Sequence, residues 1–229
     1  MNMQRLSDLS LKERESLFRQ LRVSITHHSN AMEGTTLSYG ETKELLEHGI
    51  TAAGKPLGEQ LVILGFAKAY DVIVREAFNK EMKFNAGYIK DLHAIMFEDA
   101  LQVAPEYVSK PIGAYRLDDR YIKGVDIKLS PPSMISQHID NLLYQHQTGT
   151  MTLFEISEFH IKFELIHPFA DGNGRIGRLL MAHQAIANDF IPPLIENDHR
   201  REYLDALADA VELEKFLEKS IVKSTELIF

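Results

Sequence analysis

Apolar residues recur every three or four positions over most of this chain, the spacing of one buried helical stripe. Phe18, Leu21, Ile25, His28 and Met32 form such a stripe. It follows Ser10-Leu-Lys-Glu13, in which serine and glutamate can each satisfy the other's backbone N–H at a helix start. Ser38-Tyr-Gly-Glu41 repeats that signal for a short second helix, which Gly49 can end through positive φ. The spacing predicts a third helix over 56–78 with Leu57, Leu61, Leu64, Ala67 and Val74 inward. A fourth, capped by Asn85, carries Ile89, Leu92 and Met96, and a fifth follows Ser130-Pro-Pro with Ile135, Ile139 and Leu142. Ile156, Phe159, Phe163 and Ile166 mark a sixth over 152–166, and a seventh runs from near Gly174 to before Ile191-Pro-Pro. From Asp198 the chain reads as helical again through Leu204, Leu207, Val211, Phe216 and Ile221.

One segment departs from this period. In 111–129, Val125, Ile127 and Leu129 alternate with Asp126 and Lys128, a period of two that predicts a β-hairpin or flap. The expected fold is mainly α with one small hairpin. With 229 residues the chain can bury a substantial core as one domain with an arm, drawn here as an N-terminal helical arm over 1–50 and a core over 51–229.

A net charge of −8 argues against bulk attraction to nucleic acid or anionic lipid and leaves room for a local cationic pocket. The absence of cysteine excludes disulfides, thiolate zinc sites and a cysteine nucleophile. The polar N-terminus lacks a signal-peptide core, and the longest apolar run, Leu61–Leu64 followed by Gly65-Phe66, is too short to cross a bilayer. A cytoplasmic protein without nucleic-acid or membrane partners is expected.

The chemistry concentrates in residues 167–178, His-Pro-Phe-Ala-Asp-Gly-Asn-Gly-Arg-Ile-Gly-Arg. Pro168 disfavours helix at His167, so a tight loop joins helices six and seven. Gly172 and Gly174 allow positive φ and close backbone approach, so successive N–H groups can form an anion nest leading into a helix N-terminus. Arg175 and Arg178 share a face of the first turn, where their guanidinium forks suit phosphate and are mildly unfavourable without an anion. Asp171 can hold Mg²⁺ together with substrate phosphates, and His167 can take a proton from an incoming hydroxyl. One base, one metal ligand, a nest and two clamps suit phosphoryl or nucleotidyl transfer. The glycine spacing matches neither a P-loop nor an EF-hand.

This stretch resembles the signature of the Fic (filamentation induced by cAMP) family, His-Pro-Phe-x-Asp/Glu-Gly-Asn-Gly-Arg-x-x-Arg, at every specified position, and the likeness runs over about residues 85–205. The resemblance implies transfer of AMP from ATP to a hydroxyl on a target protein or on the enzyme itself, with release of pyrophosphate. It assigns His167 as general base and Asp171 as ligand of Mg²⁺ (or Mn²⁺). Gly172, Asn173 and Gly174 become the anion hole, with Phe169 in the same loop, and Arg175 and Arg178 bind the β- and γ-phosphates. Gly174 argues against the family's kinase-like branch, which has lysine there. Upstream, Ser29-Asn-Ala-Met-Glu33-Gly34 resembles the family's inhibitory Ser/Thr-x-x-x-Glu-Gly/Asn motif, whose glutamate pairs with the second arginine, here Arg178. The resemblance also makes the hairpin a target-docking flap, with Gly113 and Arg116 at its start and Val125 and Ile127 along it. Tyr203 is the candidate for the nucleobase or ribose. Alternatives left open are another nucleotide or phosphate donor, AMP removal as a second activity, a nucleotide-sensing regulator, and a homodimer. His27, His28, His93 and His160 read as ordinary helix and packing residues.

Overall fold

The structure, a computed structural model, describes residues 4–79, 82, 84–121, 128–146 and 150–228. Among these run α1 (Leu11–Ala31), α2 (Tyr39–His48), α3 (Leu57–Ala77), α4 (Ala86–Val103), α5 (Ile135–Gln145), α6 (Leu153–Ile166), α7 (Asn173–Ala187), α8 (Arg200–Ala206) and α9 (Ala210–Thr225). Strand pairing among the described residues is an isolated antiparallel bridge, Arg5 to Phe190. The fold is helical, as the periodicity predicts. The described parts of the expected flap, 111–121 and 128–129, hold bends and irregular backbone without a strand, and Val125 and Ile127 lie outside the described residues.

Local signals account for the helix starts. Ser10 with Glu13 and Ser38 with Glu41 form reciprocal caps, Asn85 caps α4, and Gly49 ends α2 at φ 68°. Thr152 and Glu155 make a third reciprocal cap that starts α6. The C-terminal stretch is two helices. Asp209 accepts the N–H groups of Val211 and Glu212 and restarts the chain as α9, with Leu213, Leu217 and Ile221 inward. That restart turns Val211 outward to 45% exposure. Leu57 is likewise exposed, because it is the first residue of α3 and lies beyond the core. No helix among the described residues is long and apolar enough to cross a membrane.

α7 is the central rod, buried on every side from Ile176 to Ile186 and packed against α3, α4 and α6. α3 and α4 approach closely because residue 65 has no side chain: a Cβ there would lie 2.2 Å from the Met96 carbonyl oxygen. Gly65→Ala therefore forces the two backbones apart and is expected to lower stability by about 2–3 kcal/mol, measured by urea unfolding. α1 packs on α3 and buries Leu17, Leu21 and Ile25, and a two-pronged Arg22–Asp71 pair at 2.7 and 2.9 Å joins the two helices. Its C-terminal end is thereby brought to the first turn of α7.

Candidate active site

The α6–α7 loop opens with strain. His167 sits at φ 50°, a region that costs a non-glycine residue about 1–2 kcal/mol. Its surroundings hold it there. Its N–H donates to the Phe163 carbonyl at 3.0 Å, and its own carbonyl accepts from Arg116 Nε at 2.7 Å. Arg116, expected at the start of the flap, is only 1% exposed. Its backbone N–H donates to Pro168 O at 2.9 Å, and its remaining guanidinium nitrogens donate to the carbonyls of Asp118 and Ser130. Arg116 is thus a strut beneath the loop. Its truncation to alanine orphans several carbonyls at once and is expected to lower stability by about 3 kcal/mol in thermal unfolding.

His167 Nδ1 lies 3.3 Å from the Glu164 carbonyl oxygen. Donation there fixes a neutral tautomer with a lone pair on Nε2. Burial holds this imidazole below its usual range, the Glu164 carbonyl opposes that shift, and the Arg116 charge adds to it. His167 is therefore neutral near pH 7, as a base must be.

Phe169 is fully buried. Its N–H donates to Asn173 Oδ1 at 2.8 Å and its carbonyl accepts from Asn173 Nδ2 at 2.9 Å. The Asn173 amide thus staples the loop, leaving its backbone N–H for an anion. Gly172 begins α7 at φ 78°, and a Cβ there would lie 2.8 Å from Met96 and Phe97 side-chain atoms. No side chain caps α7. Its first N–H groups and positive dipole end stand open to an anion.

Asp171 accepts from Gly172 N at 2.6 Å and from an Arg175 terminal nitrogen at 3.2 Å, and its side chain is 42% exposed. Among the described residues no group of three or more acidic or histidine side chains could hold a metal. A lone, half-exposed carboxylate fits a Mg²⁺ that draws its other ligands from phosphates and water.

Arg178 faces the end of α1. Its Nε donates to Ser29 Oγ at 2.8 Å, and one terminal nitrogen donates to Ser29 O at 2.9 Å and to Glu33 Oε1 at 2.7 Å. Glu33 follows the last turn of α1, and Gly34 turns the chain away at φ 90°. Burial alone would raise the Glu33 carboxyl; Arg178, then Arg175 and Arg200, outweigh burial and hold it below the ordinary range. Gly174 makes room for the pair, since a Cβ there would lie 2.9 Å from both Glu33 Oε1 and an Arg178 nitrogen.

Two neighbours carried no sequence signal. Arg200 Nε donates to Met32 O at 3.0 Å, beside Glu33, and Asn197 N–H donates to His28 Nδ1 at 3.2 Å, so the start of α8 and the turn before it hold the end of α1. Glu164 lies one turn before the loop with Oε1 buried and unpartnered. Burial pushes its carboxyl up to about 7 against the pull of Arg178.

A cavity of about 220 Å³ is bounded by Glu33, Glu164, His167, Gly174, Arg178, Arg200 and Tyr203, with apolar walls from Met32, Ile161, Leu165, Leu204 and Leu207. Leu204, read from the pattern as part of a buried stripe, is 43% exposed because it lines this opening. Tyr203 is 1% exposed, with its hydroxyl 2.6 Å from His160 Nε2 and its ring 6.0 Å from the Arg178 guanidinium carbon. Only the ring of Tyr203 is left to meet a ligand. His93, read as a packing residue, stacks on Phe169 at 4.0 Å and bonds both Gly113 and the Asp171 carbonyl.

The Fic/DOC family profile matches residues 83–185. A protein adenylyltransferase, fic-1, of Caenorhabditis briggsae is 28% identical over 83% of this chain and 37% of its own length. The protein adenylyltransferase Fic of Aedes aegypti is 28% identical over 90% of this chain and 40% of its own length. The chain thus spans about two fifths of these relatives. Among solved structures, a Fic-domain-containing signaling protein from Bacteroides thetaiotaomicron superposes with a TM-score of 0.83, at 22% identity, covering 97% of this chain and 92% of that one. Residues 134–508 of Fic-1 from Caenorhabditis elegans give a TM-score of 0.80, at 23% identity, covering 97% and 66%. At these identities the structural likeness shows the fold alone.

Proposed function

We propose that this chain, whose residues 83–185 match the Fic/DOC family profile, is a protein adenylyltransferase restrained by its own Glu33. It would move AMP from ATP to a hydroxyl side chain of a target protein, or of itself. The observation that carries this reading is a neutral His167, Gly174 in the uncapped first turn of α7 and Arg178 around a single cavity, with Arg175 bonded to Asp171 in the same loop. His167 Nε2 takes the proton of the incoming hydroxyl, whose oxygen attacks the α-phosphorus. The bond from that phosphorus to the bridging oxygen breaks, and pyrophosphate leaves. The backbone N–H groups of Asn173 and Gly174 stabilise charge on the phosphates, beside the Gly172 N–H that Asp171 Oδ1 holds at 2.6 Å, and the guanidiniums of Arg175 and Arg178 hold the departing end. Mg²⁺, where bound, neutralises phosphate charge, and Asp171 is the side chain that would hold it.

Restraint follows from competition. The γ-phosphate needs the Arg178 edge that Glu33 occupies at 2.7 Å, so ATP enters out of line for attack. The relatives' names as protein adenylyltransferases support AMP as the transferred group. Glu33 lines the same cavity as His167, which supports a second activity, AMP removal with Glu33 orienting a water, to be measured as release of AMP from a modified target.

The test is incubation of wild type and Glu33→Gly with Mg²⁺, cell lysate and ATP labelled at either the α- or the γ-phosphate. Protein labelling from the α-position only is expected. Labelling from the γ-position, or from neither, overturns AMP transfer. The pH profile adds a second check. Only neutral His167 accepts a proton, and burial keeps it neutral further into acid, so the acid limb of kcat/KM lies below pH 6.5. An acid limb above that value would place the base elsewhere.

A further inference from the structure

We infer that His93 is a positioning residue that ties the segment leading into the flap to the phosphate loop, an inference about the reaction that rests on the transferase reading above. His93 lies in α4, fully buried, and no part of the proposed chemistry uses it. Gly113 N–H donates to its Nδ1 at 2.9 Å, and its Nε2 lies 3.1 Å from the Asp171 carbonyl oxygen. A single neutral tautomer satisfies both contacts, with the lone pair on Nδ1 and the proton on Nε2. A charged ring would set an N–H of Nδ1 against the N–H of Gly113. Full burial favours the neutral ring.

Geometry separates this from mere packing. Gly113 reaches the ring at φ 63°, with a would-be Cβ only 3.1 Å from the Ala94 side chain. Three residues on, Arg116 bonds the carbonyls of His167 and Pro168. The phosphate loop is therefore held at both ends, His167 and Asp171, by one short segment, with His93 as the link at the Asp171 end. The face of the ring packs on Phe169, between those ends, at 4.0 Å and an interplanar angle of 15°. The base at His167 and the phosphate site at Asp171 are thereby held in register with each other, and a misplacement of about 1 Å between them can lower turnover on the order of a hundredfold.

Three substitutions separate the contacts, made in the full chain carrying Glu33→Gly. His93→Phe keeps the stacked ring and removes both hydrogen bonds. His93→Asn places an oxygen near the position of Nδ1, and His93→Gln places a nitrogen near that of Nε2. Amide hydrogen exchange is read at Gly113 and at Gly172, whose N–H donates to Asp171 Oδ1. His93→Phe is expected to speed both amides about tenfold, His93→Asn chiefly Gly172, and His93→Gln chiefly Gly113. Self-labelling with ATP should lose kcat in His93→Phe with KM for ATP unchanged. Unchanged exchange in His93→Phe, or equal acceleration of both amides by all three variants, reduces His93 to packing and overturns the inference. The ring nitrogens of unsubstituted His93 give a reading that needs no variant, since a nitrogen-15 spectrum showing the proton on Nδ1 would also overturn it. A parent protein that labels nothing removes the transferase reading, while the exchange rates still decide the role of His93.

Discussion

Replacing Glu33 by glycine is expected to raise AMP transfer between about tenfold and a hundredfold. A hydrogen bond to a charged group contributes on the order of 1.5–3 kcal/mol, and each 1.4 kcal/mol is a factor of about ten. The Glu33 side chain is 36% exposed, and solvent screening places the effect toward the lower end. The gain depends on what remains. Both Ser29 contacts to Arg178 survive the substitution, so the freed guanidinium stays aimed at the cavity. Glu33 lies past the last turn of α1, so glycine there does not interrupt the helix. The same substitution leaves a buried cation short of its carboxylate, so the unliganded variant should melt lower than wild type. ATP should then raise its melting temperature more than that of wild type, because phosphate replaces the lost partner. Labelling from α-labelled ATP together with melting curves with and without ATP measures both. A variant no faster than wild type would end the case for self-restraint.

His167→Ala in the Glu33→Gly background is expected to lower transfer by about 10²–10⁴-fold while ATP still binds, since the phosphate contacts come from other residues. The backbone complicates this experiment. At φ 50° alanine is strained, and part of any loss could come from the loop relaxing. His167→Asn separates the two effects, because asparagine tolerates that conformation and still offers no base at neutral pH. Equal loss of transfer in both variants, with stability kept in asparagine, assigns the effect to proton transfer. Substantial transfer in His167→Asn would move the base elsewhere.

Much of this architecture was readable from local rules. The paired caps Ser10–Glu13 and Ser38–Glu41 and the positive φ of Gly49 are decided within a few residues, and the structure shows them. So is the loop of 167–172, because glycine, proline and the amide of Asn173 act on their immediate neighbours. What local rules miss is what two distant segments decide together. The bond from Arg200 to Met32 joins residues 168 positions apart. His93 has an unremarkable helical neighbourhood in sequence, and its meaning comes from Gly113 on one side and Asp171 on the other. Tyr203 lines the cavity with its ring alone, because its hydroxyl is committed to His160, 43 positions away. The restart at Asp209 escapes local rules for a different reason: an apolar stripe continues across the break, and the cap that divides it is a single side chain.

The bond between Glu33 and Arg178 spans 145 positions, with the carboxylate on the N-terminal side. A ribosome therefore makes the carboxylate well before it makes the arginine or the base. α1 is out of the exit tunnel, free to begin packing on α3, before α7 exists to receive a nucleotide. On the proposed restraint, the end of α1 would be in place to meet the site as soon as that site could form, and activity would have to be released afterwards by an event that draws the end of α1 away.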